Sequence, residues 1–272
     1  MAGGLRWHVQ VAGSGPVLLL VHGTGAATHS WARLLPLLAG RFTVVAPDLP
    51  GHGFTAMPPP KRMSLPGVGE RLAGLLAELG VRPVIAVGHS AGAAILCRMA
   101  LERVIDPSLL VSINGALLPF RGVAGSIFAP MARVAASTSL IPRMFAWHAR
   151  MDADMVRRLI RDTGSRIAGV ELEMYQRLAR RPGHAAAALA MMAHWDLEGL
   201  RRDLPGLPVP LVLLVGLRDR AMAPAEARRV RAILPEARIV RLPSLGHVAH
   251  EEDPAAVARV ILDLAAECVR QS

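Results

Sequence analysis

The sequence predicts an α/β fold, a mostly parallel sheet flanked by helices and interrupted by one helical insertion. Three observations lead there. Short apolar runs that read as buried strands alternate with helical patterns in the first third of the chain, and the alternation resumes near its end. Between about residue 118 and residue 200 there is no strand signal. Finally, Gly88-His89-Ser90-Ala91-Gly92 lies between a strand pattern and a helix pattern, the setting in which a G-x-S-x-G turn thrusts out a serine.

Taken in order, residues 6–11 and 16–21 read as strands joined by Ala12-Gly13-Ser14-Gly15, a hairpin signal. A helix is expected over 29–38 and a strand over 42–47, followed by a Gly- and Pro-rich loop from Asp48 to about Lys61. Leu65, Val68, Leu72, Leu75, Leu76 and Leu79 recur at helical spacing, and Gly80 ends that helix. Pro83-Val84-Ile85-Ala86-Val87 is the strand before Ser90, residues 93–100 the helix after it, and 109–113 the next strand. In the insertion, Met151, Met155, Leu159, Met174 and Leu178 suggest short helices broken at Pro130, Pro142 and Pro182. A strand over 209–215, a helix over 223–233, a strand over 238–242 and a helix from Pro254 complete the chain. Val257, Val260, Ile261, Leu264 and Cys268 give that last helix one apolar stripe. The expected organisation is a core of residues 1–117 and 201–272 with a helical cap, 118–200, inserted after strand 6.

The chain has 272 residues and is 52% hydrophobic, enough to bury a sizeable core. No apolar run has the length of a membrane span, and the N-terminus lacks the pattern of a secretory signal, so a cytoplasmic location is expected. Cys97 and Cys268 form no metal or redox pair in sequence and read as buried thiols on helix faces. The net charge is +10, with Lys61 the sole lysine, which favours anionic partners. Zinc-finger spacing, long basic runs and basic–aromatic interleaving are absent, which argues against nucleic acid. Neither a P-loop nor G-x-G-x-x-G spacing occurs, and no metal-ligand cluster is evident, so no cofactor and no metal are expected.

A serine hydroxyl needs a base, a group to orient that base, and donors for an oxyanion. Each is expected at the C-terminal end of a strand. His247, in Ser244-Leu245-Gly246-His247, follows the last strand most closely and is the expected base; His250 is its rival. Asp219 follows the strand over 209–215 and is the expected orienting acid. Its rival Asp253 precedes Pro254 and reads as a helix cap. The order Ser90, Asp219, His247 is that of α/β hydrolases. His22-Gly23-Thr24-Gly25 ends another strand, so the backbone N–H groups of Thr24 and Ala91 are the expected oxyanion hole. His22 and His89 read as structural, and Asp48 as fixing its own loop.

On His22-Gly23-Thr24-Gly25, Gly88-His89-Ser90-Ala91-Gly92, Asp219 and Gly246-His247, the chain resembles the α/β-hydrolase superfamily. Ser90 separates it from haloalkane dehalogenases and epoxide hydrolases, whose turn carries an aspartate. Further stretches make it similar to the magnesium-chelatase accessory proteins of bacteriochlorophyll biosynthesis. The more specific are Ser112-Ile113-Asn114-Gly115-Ala116 running into Leu117-Leu118-Pro119-Phe120, and Ala190-Met191-Met192-Ala193 running to Trp195-Asp196-Leu197. The resemblance implies an α/β-hydrolase fold with a mostly parallel eight-stranded sheet, in a cytoplasmic bacterial protein serving tetrapyrrole synthesis.

The expected function is that of a serine hydrolase acting on an ester or related acyl bond of a small molecule, for instance a porphyrin or its ester. Contact with magnesium chelatase is implied by the resemblance; contact with a membrane surface is left open. Met131, Met144, Met151, Met155, Met174, Met191 and Met192 fall in the cap with Arg133, Arg143, Arg150, Arg157, Arg158 and Arg161. An adaptable apolar pocket with an arginine at its rim would suit a flat ring bearing carboxylates. Two other classes stay open: a non-catalytic porphyrin carrier or chelatase-assisting protein, and a cofactor-free carbon–carbon hydrolase, lyase or perhydrolase.

Overall fold

The structure is a computed structural model and describes residues 1–119 and 138–271. Seven strands form one sheet: β1 (Val9–Ala12), β2 (Val17–Val21), β3 (Thr43–Pro47), β4 (Pro83–His89), β5 (Leu109–Ile113), β6 (Leu211–Gly216) and β7 (Arg238–Leu242). Their order is β1-β3-β2-β4-β5-β6-β7. All neighbours are parallel except β1 and β3. Alternate side chains feed two cores. Leu19, Val21, Ala86, Leu110 and Leu213 pack on one face with α2 (Leu65–Glu78) and α3 (Ala91–Leu101). Leu18, Leu20, Val87, Val111 and Leu214 pack on the other with α1 (Leu35–Ala39) and α11 (Pro254–Gln271). Strands buried on both faces read as near-continuous apolar runs; β2 and β6 do, and β5 is interrupted only by Ser112.

Three expectations about the sheet are corrected. Among the described residues the strand count is seven rather than eight. The segment before β1 does not extend the sheet. Gly3 and Gly4 take positive φ (54° and 75°), and Ala2 and Leu5 close on each other as an isolated bridge. The helical insertion accordingly follows the fifth strand, not the sixth. Strands β1 and β2 are not a hairpin either, because β3 lies between them. Gly13 owes its place to close approach: a Cβ there would collide with the carbonyls of Ala39 and Phe42, over which the connecting loop runs.

Local signals account for the helices. Ser64 caps α2, its hydroxyl accepting the Gly67 N–H at 3.3 Å, and Gly80 leaves the helix at φ 64°. The helix expected over 29–38 splits into a 3₁₀ turn, Thr28–Trp31, and α1, in which Pro36 supplies no N–H. Between β5 and β6 lie α4 (Leu140–Met151), α5 (Met155–Asp162), α6 (Gly169–Ala179), α7 (Pro182–His194) and α8 (Leu197–Asp203). Pro142 does not break a helix as expected; it sits in the first turn of α4, where its missing N–H would have no intrahelical partner. Pro182 opens α7, and Pro130 lies outside the described residues. Helix α9 (Pro224–Ile233) and the short α10 (Ala249–Glu252) complete the set. Among the described residues, no helix is long and apolar enough to cross a membrane.

Candidate active site

The chain leaves β2 toward β3 on one side and returns to place β4 on the other, so the sheet has its switch point between β2 and β4. A crevice opens at such a point, beyond the C-terminal ends of the strands. Five of those ends converge here: His22–Gly25 after β2, Ser90 after β4, Asn114 after β5, Asp219 after β6 and His247 after β7.

Ser90 occupies a sharp strand-to-helix turn at φ 50° and ψ −114°, a conformation that costs a non-glycine residue about 1–3 kcal/mol. Tertiary bonds hold it there. Its N–H donates to Ile113 O at 3.0 Å, and its carbonyl accepts from Ala116 N at 3.0 Å and Ala93 N at 3.2 Å. Gly92 is required by the packing, since a Cβ on it would fall inside the Val21 carbonyl of the neighbouring strand loop.

Asp219 is buried, and both its oxygens are used. Oδ1 accepts the N–H groups of Ala221 and Met222 at 2.8 Å each, and Oδ2 lies 2.8 Å from His247 Nδ1. A carboxylate accepting at Oδ2 places the imidazole proton on Nδ1 and leaves Nε2 with a free lone pair. The histidine loop is held by its backbone. Asn114 Nδ2 donates to Gly246 O and His247 O at 2.8 Å, and His89 Nε2 donates to His247 O at 3.0 Å. Asn114 Oδ1 accepts the Gly216 N–H at 2.8 Å, so one side chain joins the ends of β5, β6 and β7.

The rivals are placed elsewhere. His250 is fully buried between Trp31 and His89, at ring distances of 4.3 and 4.6 Å. Burial pushes its imidazole down to about 3, and neither ring nitrogen has a hydrogen-bond partner among the described residues. Asp253 caps α11, accepting the Ala256 N–H at 2.9 Å. His22 is neutral in the protein interior: Nδ1 donates to Gly23 O and Nε2 accepts the Leu49 N–H, each at 2.8 Å. Asp48 accepts from Thr28 N at 2.7 Å and Phe54 N at 2.9 Å, which ties its loop to the turn before α1. Cys97 is buried, its thiol pushed up to about 12 by desolvation, whereas Cys268 is half-buried rather than buried.

Two cavities meet at Ser90. One, of about 270 Å³, runs under α4–α7 and is lined by Phe145, Ile160, Tyr175 and Ala188. The other, of about 450 Å³, is bounded by Ala116, Met192, Trp195 and Met222. Thr24, Ser90 and His247 line both. The expected methionine pocket is corrected: Met192 reaches a cavity, but Met144 and Met151 face outward, and Met191 is buried with its sulfur 3.2 Å from the Thr24 hydroxyl. Neither cavity has an arginine among its described lining; the charged groups at the larger one are Asp196 and Glu198. Met131, Arg133 and Phe120 lie outside the described residues. Among those described, no group of three or more His, Cys, Asp or Glu residues is placed to hold a metal ion.

The profile of the Alpha/beta hydrolase family matches residues 18–260. The chain belongs to the α/β-hydrolase family. Among this chain's relatives, the "Magnesium-chelatase 30 kDa subunit" of Rhodobacter capsulatus is 37% identical over 96% of this chain and 91% of its own length. Two solved structures share the fold. An alpha/beta hydrolase fold protein from Burkholderia ambifaria has a TM-score of 0.78 at 24% identity, over 96% of this chain and 94% of its own. The enol-lactonase from Burkholderia xenovorans LB400 has a TM-score of 0.77 at 21% identity, over 97% and 98%.

Three residues have roles that sequence reasoning missed. His184 of α7 accepts the Gly53 N–H at 3.2 Å and donates to Gly25 O at 3.0 Å, which fastens the inserted helices to two strand-end loops. Tyr175 of α6 donates to Glu251 Oε1 at 2.6 Å. Burial pushes the Glu251 carboxyl up to about 8 and the Tyr175 phenol higher still. A lone histidine or tyrosine inside a helical pattern carries no sequence signal for such long-range bonds.

Proposed function

We propose that this α/β hydrolase is a serine hydrolase of esters or related acyl bonds, with Ser90, His247 and Asp219 as its triad. The observation that carries the reading is the 2.8 Å contact of Asp219 with His247 Nδ1, which leaves Nε2 basic toward the cavities that Ser90 also lines. His247 takes the proton of Ser90 as its oxygen attacks the carbonyl carbon. Asp219 stabilises the imidazolium, which returns the proton to the leaving group. Water then releases the acyl group by the same route. The oxyanion is assigned to the N–H groups of Thr24 and Ala91. This is supported by Gly23, where a Cβ would sit a tight 3.0 Å from Ser90 Cβ and His89 Nδ1, so the glycine eases the close approach of the Thr24 loop. Residues 118–200 act as a cap over the site, and two chambers meeting at Ser90 suit a substrate with an arm on either side of the scissile bond.

The pathway assigned, tetrapyrrole synthesis in the cytoplasm, rests on similarity to the Rhodobacter capsulatus chelatase subunit. Fluorophosphonate labelling tests the chemistry: the wild type is labelled and Ser90→Ala is not. Labelling that persists in Ser90→Ala overturns the triad. The subunit name of that relative favours a second reading, a protein that assists the chelatase without turnover. Under that reading, Ser90→Ala restores pigment formation to a strain lacking the protein; under the first it does not.

A further inference from the structure

Helix α4 is built inside out. Its buried residues are the compact Pro142, Ala146 and Ala149. Its large apolar residues face solvent: Leu140 is 61% exposed, Met144 58%, Trp147 63% and Met151 68%. At 100° per residue, these four fall within about 60° of arc, one continuous stripe along the helix. Arg143 and Arg150 lie together on one flank of the stripe by the same geometry. Residues 140–166 carry six arginines against three aspartates, within a chain of net charge +10. Nothing in the hydrolase reading uses this face. Soluble proteins rarely expose contiguous apolar patches of large side chains, and such patches mark interaction sites.

We propose that the outer face of α4 docks on an anionic lipid surface, with Leu140, Met144, Trp147 and Met151 entering the headgroup–acyl boundary and Arg143 and Arg150 lying among lipid phosphates. Three features choose lipid over protein. The stripe is a convex helix ridge, which a fluid interface accommodates along its whole length. It combines Trp, Met and Leu with flanking arginines, the composition of helices lying in the interface plane. The charge is of the sign that anionic headgroups attract. A second copy of the chain fits poorly in the antiparallel two-fold pairing, which would set Arg143 and Arg150 against their own equivalents. The site lies just behind. Phe145, on the inner side of α4, and Leu159, on α5 and 48% exposed, both line the smaller cavity. Docking by α4 therefore sets a wall of that cavity against the lipid, the position from which a membrane-partitioned amphiphile would reach Ser90. That last step rests on the hydrolase reading; the docking does not.

Flotation with vesicles of phosphatidylcholine, with and without phosphatidylglycerol, tests this. The wild type floats with the phosphatidylglycerol vesicles, less so as salt is raised, and poorly with phosphatidylcholine alone. The triple variant Met144→Gln, Trp147→Gln, Met151→Gln loses at least about tenfold in partitioning while keeping fluorophosphonate labelling and helical circular dichroism. Arg143→Glu with Arg150→Glu abolishes the preference for phosphatidylglycerol. In case the triple variant is unstable, brominated lipid must quench the emission of the wild type more than that of Trp147→Phe. The proposal is overturned if the wild type does not float, if the triple variant floats as well as the wild type, or if bromine quenches both proteins alike. A stripe-dependent dimer or protein complex without vesicle binding overturns it as well.

Discussion

The side chain of Asn114 holds the main chain of His247, its Nδ2 donating to that residue's carbonyl at 2.8 Å and to the carbonyl of Gly246 at the same distance. Its Oδ1 meanwhile accepts the Gly216 N–H. Asn114 sits at φ 46°, a left-handed conformation that asparagine tolerates better than most residues. Asn114→Ala leaves three buried main-chain groups without this partner, each worth about 1–3 kcal/mol, and it frees the base from its position. The expected result is a fluorophosphonate labelling rate about 10²-fold lower together with a lower urea midpoint. Asn114→Asp keeps the Oδ1 bond but turns a second acceptor oxygen toward the carbonyls of Gly246 and His247, so it fares no better than Asn114→Ala.

Asp219→Asn separates geometry from tautomer. The amide fills the same space and its oxygen can still accept from Ala221 and Met222. Its NH₂ then faces His247 Nδ1 as a donor, which drives the imidazole proton to Nε2, where a base must have a lone pair. Ester turnover is expected to fall about 10⁴-fold with little change in stability. A loss below tenfold would remove Asp219 from the triad.

Burial holds His29 and His184 at about 4, His250 at about 3, and His22, His52 and His89 below the ordinary imidazole value of 6.5. An unfolded chain takes up protons at these six positions as pH falls below about 6.5, and the folded one does not. Their contribution is therefore intact above that pH and is lost progressively toward pH 4, at up to about 1.4 kcal/mol per unit for each group. Urea titrations should show a steep fall in midpoint between pH 6.5 and 4.

Glu251 works in the opposite sense. Its carboxyl is held near 8 against 4.5 for the free group, so its contribution falls as pH rises between those values. Glu251→Gln still offers an oxygen to Tyr175 but never ionises. It should be more stable than wild type at pH 8.5, and the difference should vanish near pH 4.5. Equal pH dependence of the two proteins would show that Glu251 titrates normally.

The chambers beside Ser90 predict a selectivity change. Ala188→Phe fills the smaller cavity and leaves the larger one untouched. With p-nitrophenyl esters, the variant should lose activity toward long acyl chains or toward bulky alcohols, but not both. That outcome identifies which arm of the substrate the inserted helices receive.

What was legible in the sequence was local. Apolar runs closing on a glycine mark β2, β4 and β6, because strands covered on both faces have little polar alternation to obscure them. His247 stands out over His250 by following a strand end closely, after a glycine, and Asp219 over Asp253 because Asp253 precedes Pro254 and reads as a cap; the structure brings His247 and Asp219 into contact. What misled was non-local. Gly13 and Gly15 look like hairpin residues because their positive φ is a local need, but β3, drawn from thirty residues away, takes the place of the hairpin partner. The reach of Asn114 across three strand ends, and of His184 onto Gly25 and Gly53, depends on tertiary placement that spacing does not encode. The methionines of α4 read as pocket or core residues because methionine fills adaptable apolar sites, and only the packing of Ala146 and Ala149 reveals which side of that helix is covered.

Tyr175 is the sole tyrosine of the chain and lies where the inserted helices meet the sheet domain. It thereby doubles as a chemical gauge of how the two halves part. Tetranitromethane, which modifies accessible phenols, should react slowly with this half-buried ring while the halves stay closed and faster once they part. The rate at which nitrotyrosine accumulates would report how often they open, from one unambiguous position and without any engineered label.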